Sequence, residues 1–242
     1  MSQHPNQRDL TAQMISLLRG NWITQMLYVA AELKLADHLA CDEVGYDELA
    51  TKCRVDRASL YRLLRGLASI GIFEEKSSGV FTTTSLADLL RTSRPDSLYS
   101  MALMQGQDRY SAWGSLLECI KSGENAFTKK FDHPVFEWYR SHPKEATVFD
   151  NAMAAFTASE IEALLKIFSF ERFRHLVDVA GGNGRALKQI LQHSPHLQGT
   201  LVELPNVLDS FIAPPDLQSR LKTVASDIFN AVPSGGDVYL LK

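Results

Sequence analysis

The stretch LVDVAGGNGRALKQIL, residues 176–191, decides the fold. A strand pattern ends at Val179, a glycine-rich turn runs from Ala180 to Gly184, and a helical pattern follows. Glycines in such a turn let the chain reverse tightly and let a ligand approach the main chain. The same texture continues downstream, where GTLVEL, NVLDSFI, LKTVASD and DVYLLK alternate apolar runs with helical ones. Strand–helix alternation implies a parallel sheet with helices on both faces, so residues 173–242 read as a Rossmann-like α/β domain.

Glu203 closes the next strand, nineteen positions after Gly184. A doubly wound fold places an acid there to bind a ribose diol. The dinucleotide fingerprint G-x-G-x-x-G is not met, because Gly182-Asn183-Gly184 is followed by Arg185, Ala186 and Leu187. A phosphate-binding loop needs Gly-Lys-Ser/Thr, and Gly184 is followed by Arg185. What the loop has instead is Asp178, a carboxylate inside the strand just before the turn. A buried acid is costly unless paired. A pyrophosphate would not pair with it, whereas the ammonium of an amino-acid ligand would, directly or through water. The loop, Asp178 and Glu203 together fit S-adenosylmethionine, with Glu203 on the ribose hydroxyls.

Working back from the loop, residues 10–168 are helical in pattern. Leu60, Leu63, Leu64, Leu67 and Ile70 recur at helix spacing, with Gly71 as the stop. GYDELATKC offers Asp47 as an N-cap, GIFEEKSSGVFTTT reads as a hairpin about Ser-Ser-Gly, and SLADLLRTSRPDS reads as a helix capped by Ser85. Helix, helix, hairpin is a winged-helix order, which serves DNA binding in some proteins and dimerisation or packing in others. Residues 45–91 carry seven basic and six acidic side chains, a net +1. A DNA reader needs a clear basic face, so nucleic acid is not the expected partner. The opening helices carry Trp22, Met26, Tyr28, Val29 and Leu33, an apolar surface that buries either against a second chain or within the monomer.

Composition sets the outer limits. The chain has 242 residues, 45% hydrophobic and 22% charged, with net charge −3, so it is globular and has no global pull toward nucleic acid or anionic membrane. Cys41, Cys53 and Cys119 form no CxxC pair and fit a reduced, cytoplasmic setting. The N-terminus is polar, with no signal-peptide pattern, and the most apolar window carries Glu32, Lys34, Asp37 and His38, too charged to span a membrane.

Six blocks, in order, resemble the small-molecule O-methyltransferases of the caffeate, hydroxyindole and anthracycline type: LYRLLRGLASIGIFEE, AWGSLLECIKSGENAF, FDNAM, LVDVAGGNG, LVELPNV and SDIFNAVPSGGDVYLLK. The resemblance covers nearly the whole chain. It implies a helical, winged-helix-type dimerisation domain over residues 1–100, a helical linker and substrate-pocket segment over 101–172, and a class I methyltransferase domain over 173–242. It implies S-adenosylmethionine as cofactor, a homodimer through the N-terminal helices, and a small aromatic or polyketide-like hydroxyl acceptor. By position, Ala180 stands at the family's first loop glycine, followed by Gly181 and Gly182. Glu203 matches the acid on the ribose, Asp227 and Ile228 the pair beside the adenine, and Lys242 a lysine near the methionine end. Phe149 and Met153 match apolar residues against the acceptor. Taken alone, Asp227 reads equally as a turn residue, Ile228, Phe149 and Met153 as core, and Lys242 as a solvated end. Two departures stand out: Ala180 for glycine, and Ser226 for the glycine before the adenine-side acid. No metal site is expected.

Methyl transfer from a sulfonium is an in-line displacement, and a phenol with a pKa of about 10 gains from a general base. The plant-type members carry that base as a histidine in a block that starts shortly after the lysine matched by Lys242. None of His4, His38, His133, His142, His175, His193 and His196 occupies that position, so no catalytic residue is assigned. The resemblance makes DVYLLK the fourth of seven strands, beside the first, with its other edge open. The expectation is a C-terminally truncated chain with little turnover. The missing base segment motivates a second reading, a non-catalytic S-adenosylmethionine-binding or dimer-forming protein, with a regulator using the winged helix as one form of it.

Overall fold

Residues 7–40, 42–209 and 211–241 are described by the structure, a computed structural model. The chain divides into two units, Met1–Met153 and Ala154–Lys242.

The first unit is mostly helical. It opens with α1 (Gln7–Leu18), α2 (Gly20–Glu32) and α3 (Leu35–Leu39), then β1 (Val44–Gly45), α4 (Tyr46–Cys53) and α5 (Arg57–Ala68). The hairpin of β2 (Phe73–Ser77) and β3 (Val80–Thr83) and the short α6 (Ser85–Asp88) follow. Helix α5 starts where the Asp56 carboxylate accepts the Ser59 N–H at 2.8 Å. It buries Leu60, Leu64 and Leu67 on one face, and the chain leaves it through Gly71 at φ +79. The hairpin turns at Gly79, also at φ +79, and sends Phe73 and Phe81 into the core built by α5. These strands form an antiparallel sheet in the order β1-β3-β2. The winged-helix order is therefore present, with two caps shifted by one or two residues from the expectation. Gly45 occupies the N-cap of α4, while Asp47 lies in its first turn and pairs with Arg57 at 2.6 Å. Thr84, not Ser85, caps α6, accepting the Ala87 N–H. In both cases the extended residue that ends the preceding strand or loop takes the cap.

Of the apolar residues expected to bury against a second chain or within the monomer, Trp22 alone is exposed, while Met26 and Leu33 pack on the winged-helix core. The larger exposed apolar surface lies on α1, at Leu10, Met14, Ile15, Leu17 and Leu18. Helices α7 (Tyr99–Gly106), α8 (Asp108–Trp113), α9 (Leu116–Ser122), α10 (Ala126–Phe131) and α11 (Val135–Ser141) complete the unit, followed by the long α12 (Pro143–Ile167). A second aromatic core forms here from Phe127, Trp138 and Tyr139, with Phe131 and Phe149 against it.

The second unit is the α/β domain. Strand β4 (His175–Val179) leads through the glycine turn into α13 (Arg185–His193) and β5 (Gln198–Glu203). The short α14 (Pro205–Leu208), β6 (Leu221–Ala225) and β7 (Val238–Leu241) follow. All pairings are parallel, in the order β6-β5-β4-β7. Strand β7 thus lies beside the first strand of this unit, as the family resemblance implied. Helix α13 buries Ala186, Leu187, Ile190 and Leu191 on one sheet face. Gly199 makes that approach possible, since a Cβ there would sit 2.8 Å from both Leu187 and Leu191. The opposite face carries Val177, Val179 and Val202, with Val224 and Ile228 against them.

Candidate cofactor site

The C-terminal ends of β4, β5 and β6 gather the residues that the glycine loop implicated. Asp178 is 1% exposed, although it is an acid in the middle of a sheet. Its carboxylate lies directly over Gly181. A Cβ on that glycine would come within 2.3 Å of Asp178 Oδ2 and 2.6 Å of Leu201 Cδ1. Gly181 is therefore glycine for space, because only a bare Cα lets the turn pass over the carboxylate. Gly182 and Gly184 are glycine for conformation, at φ +57 and +68. Ala180 shares that left-handed geometry at φ +56, which a side chain tolerates only at a cost. Its main chain is fixed by an N–H donated to the Val202 carbonyl at 2.9 Å. The alanine in place of the family's glycine therefore stores backbone strain at the loop.

Glu203 ends β5 and is 8% exposed. Oε2 accepts the Gly182 N–H at 2.9 Å and Oε1 accepts the Leu204 N–H at 2.8 Å. One carboxylate thus ties the loop after β4 to the end of β5. Each carboxylate oxygen has two lone pairs, so both retain acceptor capacity for hydroxyl donors. Asp227 follows β6, and Ser226 N–H bonds the Glu203 carbonyl at 3.0 Å, which brings the third strand end beside the second. Asp227 Oδ1 accepts the Phe229 N–H at 3.0 Å, and Oδ2 accepts from the Asn230 amide at 3.2 Å. The acid is built into a turn with both oxygens engaged. Ser226 closes the same turn by donating to the Ala231 carbonyl at 2.8 Å. A glycine there could not make that bond. Lys242 lies outside the described residues.

The histidines near the sheet have structural partners. His175 heads β4, at the end opposite the glycine loop. Its Nδ1 lies 3.1 Å from the Gly235 carbonyl and its Nε2 2.8 Å from Thr200 Oγ1. The carbonyl only accepts, so Nδ1 carries the proton in the neutral ring and Nε2 accepts from Thr200. Among the described residues no cluster of His, Cys, Asp or Glu could hold a metal ion.

Phe149 and Met153 belong to the helical unit. Phe149 is half-buried on α12, with its ring 5.1 Å from that of Tyr139 and the Arg109 guanidinium 4.9 Å from its centroid. Met153 is half-buried on the same helix. Sequence reading missed Arg109, Asp108 and Tyr139. Their meeting depends on the fold of α8 against α11 and α12, and no local pattern signals it.

An acid inside the strand, a loop that admits no Cβ over it, and a second acid at the next strand end are groups that could hold a ligand with an amino-acid end and a ribose. The O-methyltransferase domain family matches residues 113–242, and the O-methyltransferase dimerisation domain matches residues 15–93. The chain belongs to the O-methyltransferase family. Two curated relatives place it further. It is 37% identical over 96% of its length to phenazine O-methyltransferase PhzM of Lysobacter antibioticus. It is 33% identical over 95% of its length to the 3-amino-4-hydroxybenzoate 4-O-methyltransferase of Streptomyces cremeus. The chain spans 69% of the first relative and 64% of the second. Among solved structures, the S-adenosylhomocysteine-bound form of CalO1, a methyltransferase of calicheamicin biosynthesis, superposes with a TM-score of 0.82 at 25% identity. That match covers 98% of this chain and 71% of CalO1. The family's cofactor is S-adenosylmethionine, and the geometry of Asp178, Gly181 and Glu203 fits it. No described helix is long and apolar enough to cross a membrane.

Proposed function

We propose that the chain is an S-adenosylmethionine-dependent methyltransferase that methylates a hydroxyl of a small aromatic or polyketide-like molecule. The observation that carries this reading is the Glu203 carboxylate, buried at a strand end and bonded to the Gly182 N–H of the loop that runs over Asp178. When bound, the cofactor supplies an electrophilic methyl group. The chain supplies position. Glu203 accepts the ribose hydroxyls, Asp178 faces the ammonium end, and the main chain of Ala180, Gly181 and Gly182 lines the approach. Ile228 packs on the adenine beside Asp227, and Lys242 serves the methionine end. Phe149 and Met153 form the acceptor wall. Near-attack alignment of hydroxyl and methyl is the larger part of such catalysis.

The dimerisation domain supports a homodimer, with the exposed apolar side chains of α1 and Trp22 as its contact surface. The winged helix serves that assembly. Two of the three arginines of α5 are engaged by carboxylates, Arg57 with Asp47 and Arg65 with Glu75, while Arg62 donates to the Ser59 hydroxyl, which leaves little free charge for a phosphate backbone. The acceptor class is supported by the relatives, one of which is named for an aromatic acid. Titration with S-adenosylhomocysteine and, separately, with NAD tests the reading. Binding of the first and not the second is expected. Failure to bind S-adenosylhomocysteine, or equal binding of NAD, overturns it.

A further inference from the structure

The second aromatic core of the helical unit holds charge where charge is expensive. Asp108 and Arg109 open α8, and both are half-buried. Arg109 lies over the Phe149 ring, with its guanidinium carbon 4.9 Å from the centroid. Tyr139, 6% exposed, stacks on the same ring with centroids 5.1 Å apart and lies near both Arg109 and Asp108. Even so, Arg109 Nε and Asp108 Oδ2 are each buried with no hydrogen-bond partner among the described residues. Buried polar atoms are nearly always paired, and an exception calls for an explanation. Here a donor and an acceptor are orphaned on adjacent residues, beside an aromatic wall whose outer member, Phe136, is 67% exposed.

We propose that Arg109 selects the methyl acceptor by its carboxylate, making this an enzyme for aromatic acids that also bear a ring amino or hydroxyl donor. The inference rests on the reading of Phe149 as acceptor wall. A guanidinium laid on a ring presents its N–H edge in the plane of a neighbouring aromatic ligand, and a carboxylate takes that edge with two parallel hydrogen bonds. The ring donor of the same ligand satisfies Asp108 Oδ2. Glu145 acts on Asp108 as a second negative group, and Asp150 follows Phe149 on α12. Burial pushes the Asp108 carboxyl up toward its neutral form, which reduces its repulsion of an incoming anion.

The test compares 3-amino-4-hydroxybenzoate with 3-amino-4-hydroxybenzamide, which differ at the anchoring group alone, in its charge and in one acceptor exchanged for a donor. Their affinities are measured calorimetrically with and without saturating S-adenosylhomocysteine. The wild-type chain is expected to prefer the acid at least tenfold, Arg109→Met to lose that preference, and Arg109→Lys to keep part of it. A wild-type preference below threefold, or an Arg109→Met variant that retains the preference, overturns the proposal. Absence of binding by either probe in a chain that binds S-adenosylhomocysteine also overturns it, and does so without touching the cofactor reading. The wild-type ratio needs no variant, so a misfolded substitution does not shield the proposal. Failure to bind S-adenosylhomocysteine instead counts against the cofactor reading alone.

Discussion

Replacing Gly181 by alanine isolates the contact on which the cofactor site is built. The added Cβ would lie 2.3 Å from Asp178 Oδ2, 2.5 Å from Asp178 Cγ and 2.6 Å from Leu201 Cδ1. None of these neighbours has room to leave. Asp178 is 1% exposed and Leu201 is fully buried, so neither can turn into solvent. Backbone conformation adds nothing to the cost, because Gly181 lies outside the left-handed region. The penalty is overpacking, about 1–3 kcal/mol, and the site lies at its upper end because the atom struck is a confined carboxylate. Gly182→Ala is the matched control. Its Cβ meets nothing within 4 Å, but the residue sits at φ +57, so it pays only the left-handed penalty of about 1–2 kcal/mol. Urea unfolding of both variants should rank Gly181→Ala as the less stable. Asp178→Ala in the Gly181→Ala background should restore part of the loss, with a coupling of about 1 kcal/mol or more in the double-mutant cycle. Equal stability of Gly181→Ala and wild type, or zero coupling to Asp178, would refute the reasoning.

Further perturbations test the rest of the frame. Ala180→Gly relieves left-handed strain at φ +56 but frees the unfolded chain, so stability should stay within about 1 kcal/mol of wild type in urea. Gly106→Ala drives a Cβ to 2.1 Å from Tyr28 Cγ, and should destabilise the helical unit by about 1–3 kcal/mol in thermal unfolding. Asp108 is held above the ordinary carboxylate range by burial, so the folded state binds more protons than the unfolded one. Its contribution to stability is full below the unfolded pKa and is lost as pH rises through the folded value. Asp108→Asn should therefore gain stability relative to wild type on going from pH 4 to pH 7, measured by urea unfolding.

Much of the α/β unit was legible because its signals are local. The strand LVDV, the glycines and Glu203 follow one another in a fixed order, and β4, α13 and β5 form as that order implies. The hairpin about Gly79 was legible for the same reason, whereas the cap of α5 by Asp56 was not singled out. The caps of α4 and α6 were misplaced, since several residues near each start can accept an N–H and only the backbone angles choose between Gly45 and Asp47, or Thr84 and Ser85. The local engagement of Asp227 by Phe229 and Asn230 was visible as a turn reading, but not its coexistence with Ile228 in the valine cluster. Two roles were out of reach. Gly181 and Gly182 look alike in sequence, yet one is required by space and the other by conformation. The meeting of Arg109 with Phe149 links α8 to α12 between residues forty positions apart in the chain.

The central claim is that Glu203 holds the ribose of the cofactor at the end of β5. Calorimetric titration of S-adenosylhomocysteine into wild type and Glu203→Gln tests it most directly. The glutamine keeps the size of the side chain but turns one acceptor into a donor, which then faces a backbone N–H that donates to Glu203 in the wild type. One site per chain is predicted for the wild type, with affinity at least tenfold weaker in the variant while both stay folded. Equal affinities would contradict the account.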